Sequence, residues 1–328
     1  MHKIFIWLLL VTGLVILPFI LSFSQQEILV FLVINILLVV SYRLLTLTGE
    51  WSLGHVVIMG VGAYTSALLT KRLGIYVPVS MLLGGLMAAL VAYILSFPLF
   101  RMKGFYFLIG SFASAEIIRL LWKRFREPFG GAKGIKRIDG MPDINIGSFT
   151  VDFFEPVAYY FFALIVVALC LWILWRIERS LVGLTFHAVH WQDKLAQASG
   201  VNVRRYRTLA YVLASGFAGL AGALLAHYIG TINPNSFDVE MSVFVLTWAI
   251  VGGTGTFYGP ILGAIVLTVF NEIILREMGF EQMRPLIYGS IMILSILFLP
   301  NGLESLVQRA MAAWKRRTPG NTEQENRS

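Results

Sequence analysis

The apolar stretch PVAYYFFALIVVALCLWILW (Pro156–Trp175) continues directly into RIERSLVGLTFHAVHWQDKLAQASGVNVRRYR (Arg176–Arg207). The first segment has the length of about 20 residues that a helix needs to cross a bilayer. The second segment is charged and compatible with helix, and a further apolar run, Tyr206–Ile229, follows it. We therefore predict a membrane bundle that presents a short polar helical segment at one of its surfaces.

The composition of the whole chain supports this fold class. Of 328 residues, 57% are hydrophobic and only 13% are charged, and the mean hydropathy is +0.76, whereas soluble domains carry about 25% charged residues. We predict an all-α integral membrane protein, a polytopic bundle of roughly 8–10 transmembrane or re-entrant helices. The lone Cys170 excludes an internal disulfide and a cysteine metal site, and we expect no bound metal.

Ten apolar segments are candidates for these helices, and the eighth of them is too short to cross a bilayer. It runs into GGTGTFYGP (Gly252–Pro260), which cannot form regular helix. We predict a broken or re-entrant element there, with a gating turn formed by Gly252, Gly253, Gly255, Gly259 and Pro260. The ten segments are Ile4–Ser22, Ile28–Leu47, Trp51–Thr70, Val77–Phe100, Phe105–Trp122, Pro156–Trp175, Tyr206–Ile229, Met241–Val251, Gly259–Leu275 and Pro285–Leu299.

The distribution of Lys and Arg predicts the orientation of the chain. Most of these residues fall on one side if the N-terminus and the 176–207 loop are cytoplasmic, although the basic stretch Lys123–Arg137 then lies outside. We predict a single transmembrane domain over 1–308, with an exterior loop at 123–155 and a cytoplasmic loop at 176–207. The segment 309–328 is then a basic and polar cytoplasmic tail, so that both termini are cytoplasmic. The net charge of +8 lacks a contiguous basic domain, so nucleic acid is not an expected partner.

The polar loop itself is predicted to hold a helix over Leu184–Ser199, bracketed by Gly183 and Gly200. We expect Ala188, Leu195 and Ala198 to pack on the bundle while His187, His190 and Asp193 face solvent. Connecting loops usually have about 4–6 residues, so a loop of this length favours a docking helix for a soluble partner. A solvated connector is the alternative.

Five sequence blocks, in order along most of the chain, resemble the M-type permease subunit of branched-chain amino acid ABC importers. They are TGEWSLGHVVIMGVGAYT (48–65), KGFY with AEIIR (103–106 and 115–119), GGAKGI (130–135), Ala188–Asn202 with AGLAGAL (218–224), and VGGTGTFYGPILGA (251–264). The resemblance implies a second homologous permease subunit, two cytosolic ATPase subunits, a periplasmic substrate-binding protein and the lipid bilayer as partners. It also implies a bacterial or archaeal inner (plasma) membrane.

The same resemblance assigns the polar loop to ATPase coupling, with candidate residues Gly183, His187, Ala188, His190, Asp193, Ala196 and Gly200. The family usually has Arg and Glu where this chain has His187, His190 and Trp191, so the two imidazoles either make coupling sensitive to pH or are simply exposed loop residues. The chain has no phosphate-binding loop motif. We therefore expect no cofactor on this chain, with ATP and Mg on the partner ATPases.

The candidate translocation-pathway residues lie in or near these blocks: Asn35, Ser52, His55, Tyr64, Tyr106, Glu116 and Arg119. Glu116 and Arg119 are three residues apart within one predicted span, so they share a helix face. Ionisable groups at that depth are paired or face a polar cavity, so they either line the route or form a structural ion pair. His55 either contacts substrate or fixes the preceding turn, and it begins a face of small residues that permits close helix packing.

Three other functions remain to be weighed against a branched-chain amino acid permease. The same architecture could import urea, short amides or other small organic acids. An intramembrane hydrolase would need a nucleophile and a base such as Ser111 and His227. A secondary transporter driven by ions would not need the Leu184–Ser199 helix.

Overall fold

The computed structural model describes residues 12–146, 149–275, 279, 281–306 and 308–309, and helices make up most of this part of the chain. The predicted all-α polytopic fold is confirmed. Residues 1–11 of the predicted first span lie outside the described residues, and 12–20 are helical. The helices that follow are α1 Phe23–Thr46, α2 His55–Leu73, α3 Val77–Leu99, α4 Phe105–Arg124, α5 Pro156–Glu178, α6 Leu181–Trp191, α7 Asp193–Ala198, α8 Val203–Ile229, α9 Val239–Gly252, α10 Gly259–Val269 and α11 Arg284–Phe298.

Five of these helices, α1, α3, α4, α5 and α8, are long and apolar enough to cross a membrane. Helix α2 has similar length but is rich in Gly, Ala, Ser and Thr, and most of its residues are buried within the protein. A helix that other helices surround needs no lipid-facing apolar surface, and small side chains let its neighbours approach.

The centre of the bundle is the crossing of α2, α3 and α8. A Cβ added at Gly62 of α2 would lie 2.1 Å from the carbonyl oxygen of Gly219 of α8, and one added at Gly84 of α3 would lie 2.6 Å from the carbonyl oxygen of Gly62. These backbones are therefore in direct contact, which only glycine allows. The predicted close packing along the small-residue face of α2 is confirmed.

The short helices α9 and α10 lie on either side of the interruption that the sequence predicts after the eighth segment. Helix α9 has 14 residues, which corresponds to about 21 Å of helix against a hydrocarbon core of about 30 Å. The irregular turn 253–258 separates α9 from α10, and a π-helical turn, Phe270–Leu275, extends α10. Helix α9 packs on α10, α11 and α1, and α10 also packs on α1. Protein therefore holds the helices on both sides of the broken backbone, although Gly255 and Tyr258 within the turn are exposed.

The two ends of the bundle differ in structure. We call the end that carries α6 and α7 the α6 end, and it also gathers the α1–α2 turn, the α3–α4 turn and the turn 253–258. The opposite end, which we call the loop end, holds the segment 123–155 and the short antiparallel strands. Strand β1 (Ile135–Lys136) pairs with β4 (Thr231–Ile232), and β2 (Ile144–Ile146) pairs with β3 (Phe149–Val151).

Candidate coupling and translocation site

The polar loop holds two helices, α6 and α7, so the prediction of one helix over Leu184–Ser199 is wrong. Gln192 adopts an extended conformation with φ −152° and ends α6, and α7 begins at Asp193. Gly183 lies inside α6 and does not precede it. A Cβ there would fall 2.0 Å from the carbonyl oxygen of Glu178, so this glycine allows α6 to turn closely against the end of α5. Gly200 follows α7 with φ +85°.

The face that α6 and α7 turn towards the bundle also differs from the prediction. Gly183, Phe186, Val189 and Ala196 are the buried residues, whereas Ala188, Leu195 and Ala198 are exposed. His187 and Asp193 are half-buried and His190 is exposed. The break at Gln192 rotates α7 relative to α6, so one helical period does not run through both helices. Which face is buried then depends on the bundle surface that each helix meets.

An ion-pair network attaches α7 to the bundle. The guanidinium of Arg207 lies 2.9 Å from Asp193 and 3.3 Å from Glu50 of the α1–α2 turn. Nζ of Lys103 in the α3–α4 turn lies 3.1 Å from Oδ2 of Asp193. Burial raises the pKa of the Glu50 carboxyl, although the Arg207 guanidinium opposes this shift. Asp193 is thus a residue that joins three segments, whereas the sequence indicated only an outward-facing charge.

A second network attaches the start of the polar loop. Arg43 of α1 is 1% exposed, and its Nη2 and Nε donate to the two carboxylate oxygens of Glu178, at 2.7 Å and 3.0 Å. Its Nη1 donates to the carbonyl oxygen of Thr254 in the glycine-rich turn. The sequence contained one signal for this site, because Arg43 is a charge inside the predicted span Ile28–Leu47. Its partners, 135 and 211 residues away, could not be read from the sequence.

The predicted gating turn is a tightly packed element. Gly253 has φ +99°, and Cβ atoms added at Gly252 and Gly259 would lie 2.1 Å from carbonyl oxygens of the same turn. Glu304, which lies after α11, accepts hydrogen bonds from the backbone N–H and the hydroxyl of Thr256. Pro260 occupies the first turn of α10, as the missing N–H of proline permits. Gly253, Gly255 and Gly259 all lie against the Glu304 side chain. A gating role for the turn stays a prediction.

A cleft of about 560 Å³ opens between α6 and the glycine-rich turn at the α6 end. His190 binds one wall, because its Nδ1 lies 3.2 Å from the carbonyl oxygen of Thr46. Burial is the main cause that lowers the pKa of His187 below its ordinary value. The cleft is lined by Thr46, Leu47, His187, His190, Trp191, Thr254, Gly255, Thr256, Pro300, Asn301, Glu304, Ser305 and Gln308.

Three of the candidate pathway residues are buried in the bundle near α2. The hydroxyl of Ser52 accepts from the N–H of Gly54, and Nε2 of His55 lies 3.0 Å from the hydroxyl of Ser41 on α1. Tyr64 stacks on Trp122 with ring centroids 4.5 Å apart. These contacts give Ser52 and His55 a role in holding the α1–α2 turn.

The remaining pathway candidates lie apart from that cluster. Glu116 and Arg119 pair with each other on α4, and their side chains are 27% and 16% exposed. Tyr106, at the start of the same helix, is exposed, and Asn35 on α1 is half-buried. The structure therefore pairs Glu116 with Arg119 and places Ser52 and His55 at the α1–α2 turn. It does not gather all seven candidates into one site.

Ser111 and His227, the pair that a hydrolase would need, have different partners. The hydroxyl of Ser111 donates to the carbonyl of Leu108. Nε2 of His227 lies 2.7 Å from the hydroxyl of Ser66, and its Nδ1 lies 2.6 Å from the carbonyl oxygen of Asp139. These bonds join α8 to α2 and to the segment 123–155 at the loop end. Among the described residues, no group of three or more metal-ligating side chains is found.

Comparison with known proteins gives the family. A family model described as "Branched-chain amino acid transport system / permease component" matches residues 25–296. The chain belongs to this permease family. The high-affinity branched-chain amino acid transport system permease protein LivM of Escherichia coli (strain K12) is 31% identical over 322 residues, which cover 92% of this chain and 75% of that protein. No solved structure matches the chain.

Two further relatives of this permease family cover less of the chain. The permease protein LivH of the high-affinity branched-chain amino acid transport system of Salmonella typhimurium is 30% identical over 128 residues, 39% of this chain and 41% of that protein. The autoinducer 2 import system permease protein LsrC of Klebsiella pneumoniae is 29% identical over 223 residues, 65% of this chain and 60% of that protein. The matched region 25–296 includes the two polar networks around Arg43 and Asp193.

Proposed function

We propose that this chain is a permease subunit of an ATP-binding-cassette importer that carries branched-chain amino acids across the inner membrane. The identity with LivM over most of the chain supports the substrate class. LivM and LivH are both named as permease proteins of one kind of transport system, which supports a second, homologous permease as partner. The chain is thus a transport subunit, and the ATP hydrolysis that drives it takes place on separate subunits that bind ATP and Mg.

The observation that carries the coupling role is the surface of α6 and α7. Leu184, Trp191 and Leu195 are 62%, 79% and 62% exposed on helices that lie at the end of the bundle, where water surrounds a polar loop. Large apolar side chains presented together outside the bilayer indicate a protein contact. We propose that two cytosolic ATPase subunits bind this surface, one on this chain and one on the second permease.

The orientation and domain organisation follow from this assignment. The α6 end is cytoplasmic, so the segment 123–155 and the loop end face the periplasm and receive a substrate-binding protein. The termini are then cytoplasmic, with one transmembrane domain over 1–308 and a tail over 309–328. A reporter enzyme that is active only in the periplasm, fused after residue 140 or after residue 200, tests the orientation: we expect activity only from the first fusion.

The experiment that tests the function is reconstitution of the native complex. The tagged chain is purified from its own membrane, its co-purifying subunits are identified, and the complex is placed in liposomes. ATP hydrolysis is then measured against leucine, isoleucine and valine, and against urea, short amides and small organic acids, each with the co-purified binding protein. We expect an ATPase and a second permease, and stimulation by branched-chain amino acids. Stimulation by another class alone would contradict the substrate, and absence of an ATPase would contradict the mechanism.

A matched pair of variants on α6 and α7 separates docking from folding. Trp191→Ala removes an exposed apolar side chain from the proposed ATPase contact, whereas Phe186→Ala removes a fully buried one. We expect Trp191→Ala to lower ATPase retention without changing the thermal stability of the isolated chain. Phe186→Ala should lower that stability instead. Retention of the ATPase by Trp191→Ala at the wild-type level would show that the contact lies elsewhere.

A further inference from the structure

Arg43 connects three segments: the end of α1, the end of α5 and the glycine-rich turn. Its planar guanidinium uses one edge for the two oxygens of Glu178, where α5 ends and the polar loop begins, and its remaining Nη1 for the carbonyl of Thr254. Arg43 itself belongs to the last turn of α1. A fork of this geometry fixes direction as well as distance, which a lysine ammonium does not.

The glycine-rich turn that Arg43 holds is closely packed against itself. A Cβ added at Gly252 or Gly259 would lie 2.1 Å from a carbonyl oxygen of the same segment, so its two ends are in backbone contact. On another side the Glu304 carboxylate binds Thr256 through two hydrogen bonds. From these contacts we expect a displacement of the Thr254 carbonyl to reach the start of α10.

The cleft at the α6 end shows where this connection matters. The cleft lies between His187 and His190 of α6 and Thr254 and Thr256 of the turn, so open space separates the exposed part of α6 from the turn. The Arg43 fork joins the turn to Glu178, just before α6 begins. A change in the angle of α6 thus reaches the turn through Glu178 and Arg43.

We propose that Arg43 is a positioning residue of the transport cycle: it transmits movement of the ATPase-bound α6 to the glycine-rich turn and so to α10. This inference rests on the proposed function, because it assigns the source of the movement to the ATPases. Arg43 is 1% exposed, and its guanidinium binds protein groups, so it acts by keeping Glu178 and Thr254 in register. A residue with only a structural role would lower the amount of assembled complex and leave the efficiency of each complex unchanged.

The test measures moles of amino acid imported per mole of ATP hydrolysed, for each assembled complex in liposomes. In Arg43→Gln we expect this ratio to fall on the order of tenfold, within the range typical of coupling between sites, while ATP hydrolysis continues. Arg43→Lys keeps the charge without the fork and should give an intermediate ratio. Glu178→Gln should lower the ratio as well, and the double variant should be no worse than Arg43→Gln because both remove one connection.

The matched control is Arg179→Gln. Arg179 is the residue next to Glu178, and its guanidinium lies over the ring of Trp175, 4.2 Å from the centroid. This variant removes a charge from the same segment without touching the glycine-rich turn, so its ratio should equal that of the wild type.

Each outcome decides between the inference and its alternatives. An unchanged ratio in both Arg43→Gln and Glu178→Gln overturns the proposal, and so does an equal loss in Arg179→Gln. Should Arg43→Gln not assemble, the ratios of Glu178→Gln and Arg43→Lys decide. If the wild-type complex contains no ATPase, the proposed function itself is wrong. If the wild type is coupled and the variants are equally coupled, only the role of Arg43 is wrong.

Discussion

The crossing of α2 and α8 gives the sharpest prediction about stability. In Gly62→Ala the new Cβ would lie 2.1 Å from the carbonyl oxygen of Gly219, and Gly84 packs on the other side through its contact with the carbonyl of Gly62. Ordinary carbon–oxygen contacts are about 3.3 Å or longer. The two helices would therefore have to separate by roughly 1 Å, and α3 prevents α2 from moving freely.

The magnitude follows from two opposing effects. Overpacking of a close-packed interior costs about 1–3 kcal/mol, and a clash with backbone on a crossing of three helices belongs at the upper end. Alanine in place of glycine in a helix interior returns about 1 kcal/mol. We expect a net loss of about 2 kcal/mol in the free energy of unfolding. At about 2–4 °C per kcal/mol, the melting temperature should fall by about 4–8 °C.

Gly216→Ala is the matched control on α8. Its new Cβ would meet the Cβ of Ala89 at 3.5 Å, which is ordinary contact, so only the gain in helix propensity of about 1 kcal/mol remains. The assay is thermal loss of the monodisperse peak in detergent, measured for both variants and the wild type. If Gly62→Ala melts at or above the temperature of Gly216→Ala, the close packing of α2 on α8 does not limit stability and the reasoning is refuted.

Three further predictions concern the polar groups. Asp193→Asn should weaken ATPase retention during purification several-fold because α7 loses its charged contacts with Lys103 and Arg207; retention at the wild-type level would contradict this. Burial holds the pKa of His187 below about 6.5, so the unfolded chain takes up a proton that the folded chain resists, and stability should fall as the pH drops below 6.5. In melting curves between pH 5 and 7.5, a His187→Gln variant should show a smaller fall of the melting temperature with decreasing pH. The same pH dependence in the variant and the wild type would exclude a contribution from His187. Glu116→Gln should cost about 1–2 kcal/mol by leaving Arg119 without its carboxylate partner, and the double variant with Arg119→Gln should melt higher than Glu116→Gln.

Much of the fold could be predicted because membrane helices are specified locally. Predicted Val77–Phe100 and observed Val77–Leu99 nearly coincide, since a hydrophobic run and its flanking polar residues define a span without reference to the rest of the chain. The same argument found the break after the eighth segment, because no arrangement of partners can make GGTGTFYGP a regular helix.

The site was predictable only in part. The sequence predicts that the polar loop is helical, and the structure confirms this, but Ala188 and Leu195 are exposed and Val189 is buried. Periodicity defines the faces of a helix without saying which face meets the bundle, and the extended backbone at Gln192 changes the phase between α6 and α7. The sequence leaves two roles open for His55, because its contact with Ser41 of α1 depends on helix packing.

The sequence by itself determined that this chain spans the membrane, where most of its helices lie, and that a polar helical segment interrupts them, because hydrophobicity, segment length and glycine content act within a few residues. Only the tertiary structure decided that Arg43 binds both Glu178 and Thr254, which lie 135 and 211 residues further along the chain. Such partners are set by how closely the helices pack. At the centre of the bundle that packing depends on glycine backbones that touch, and no local pattern records which glycine meets which.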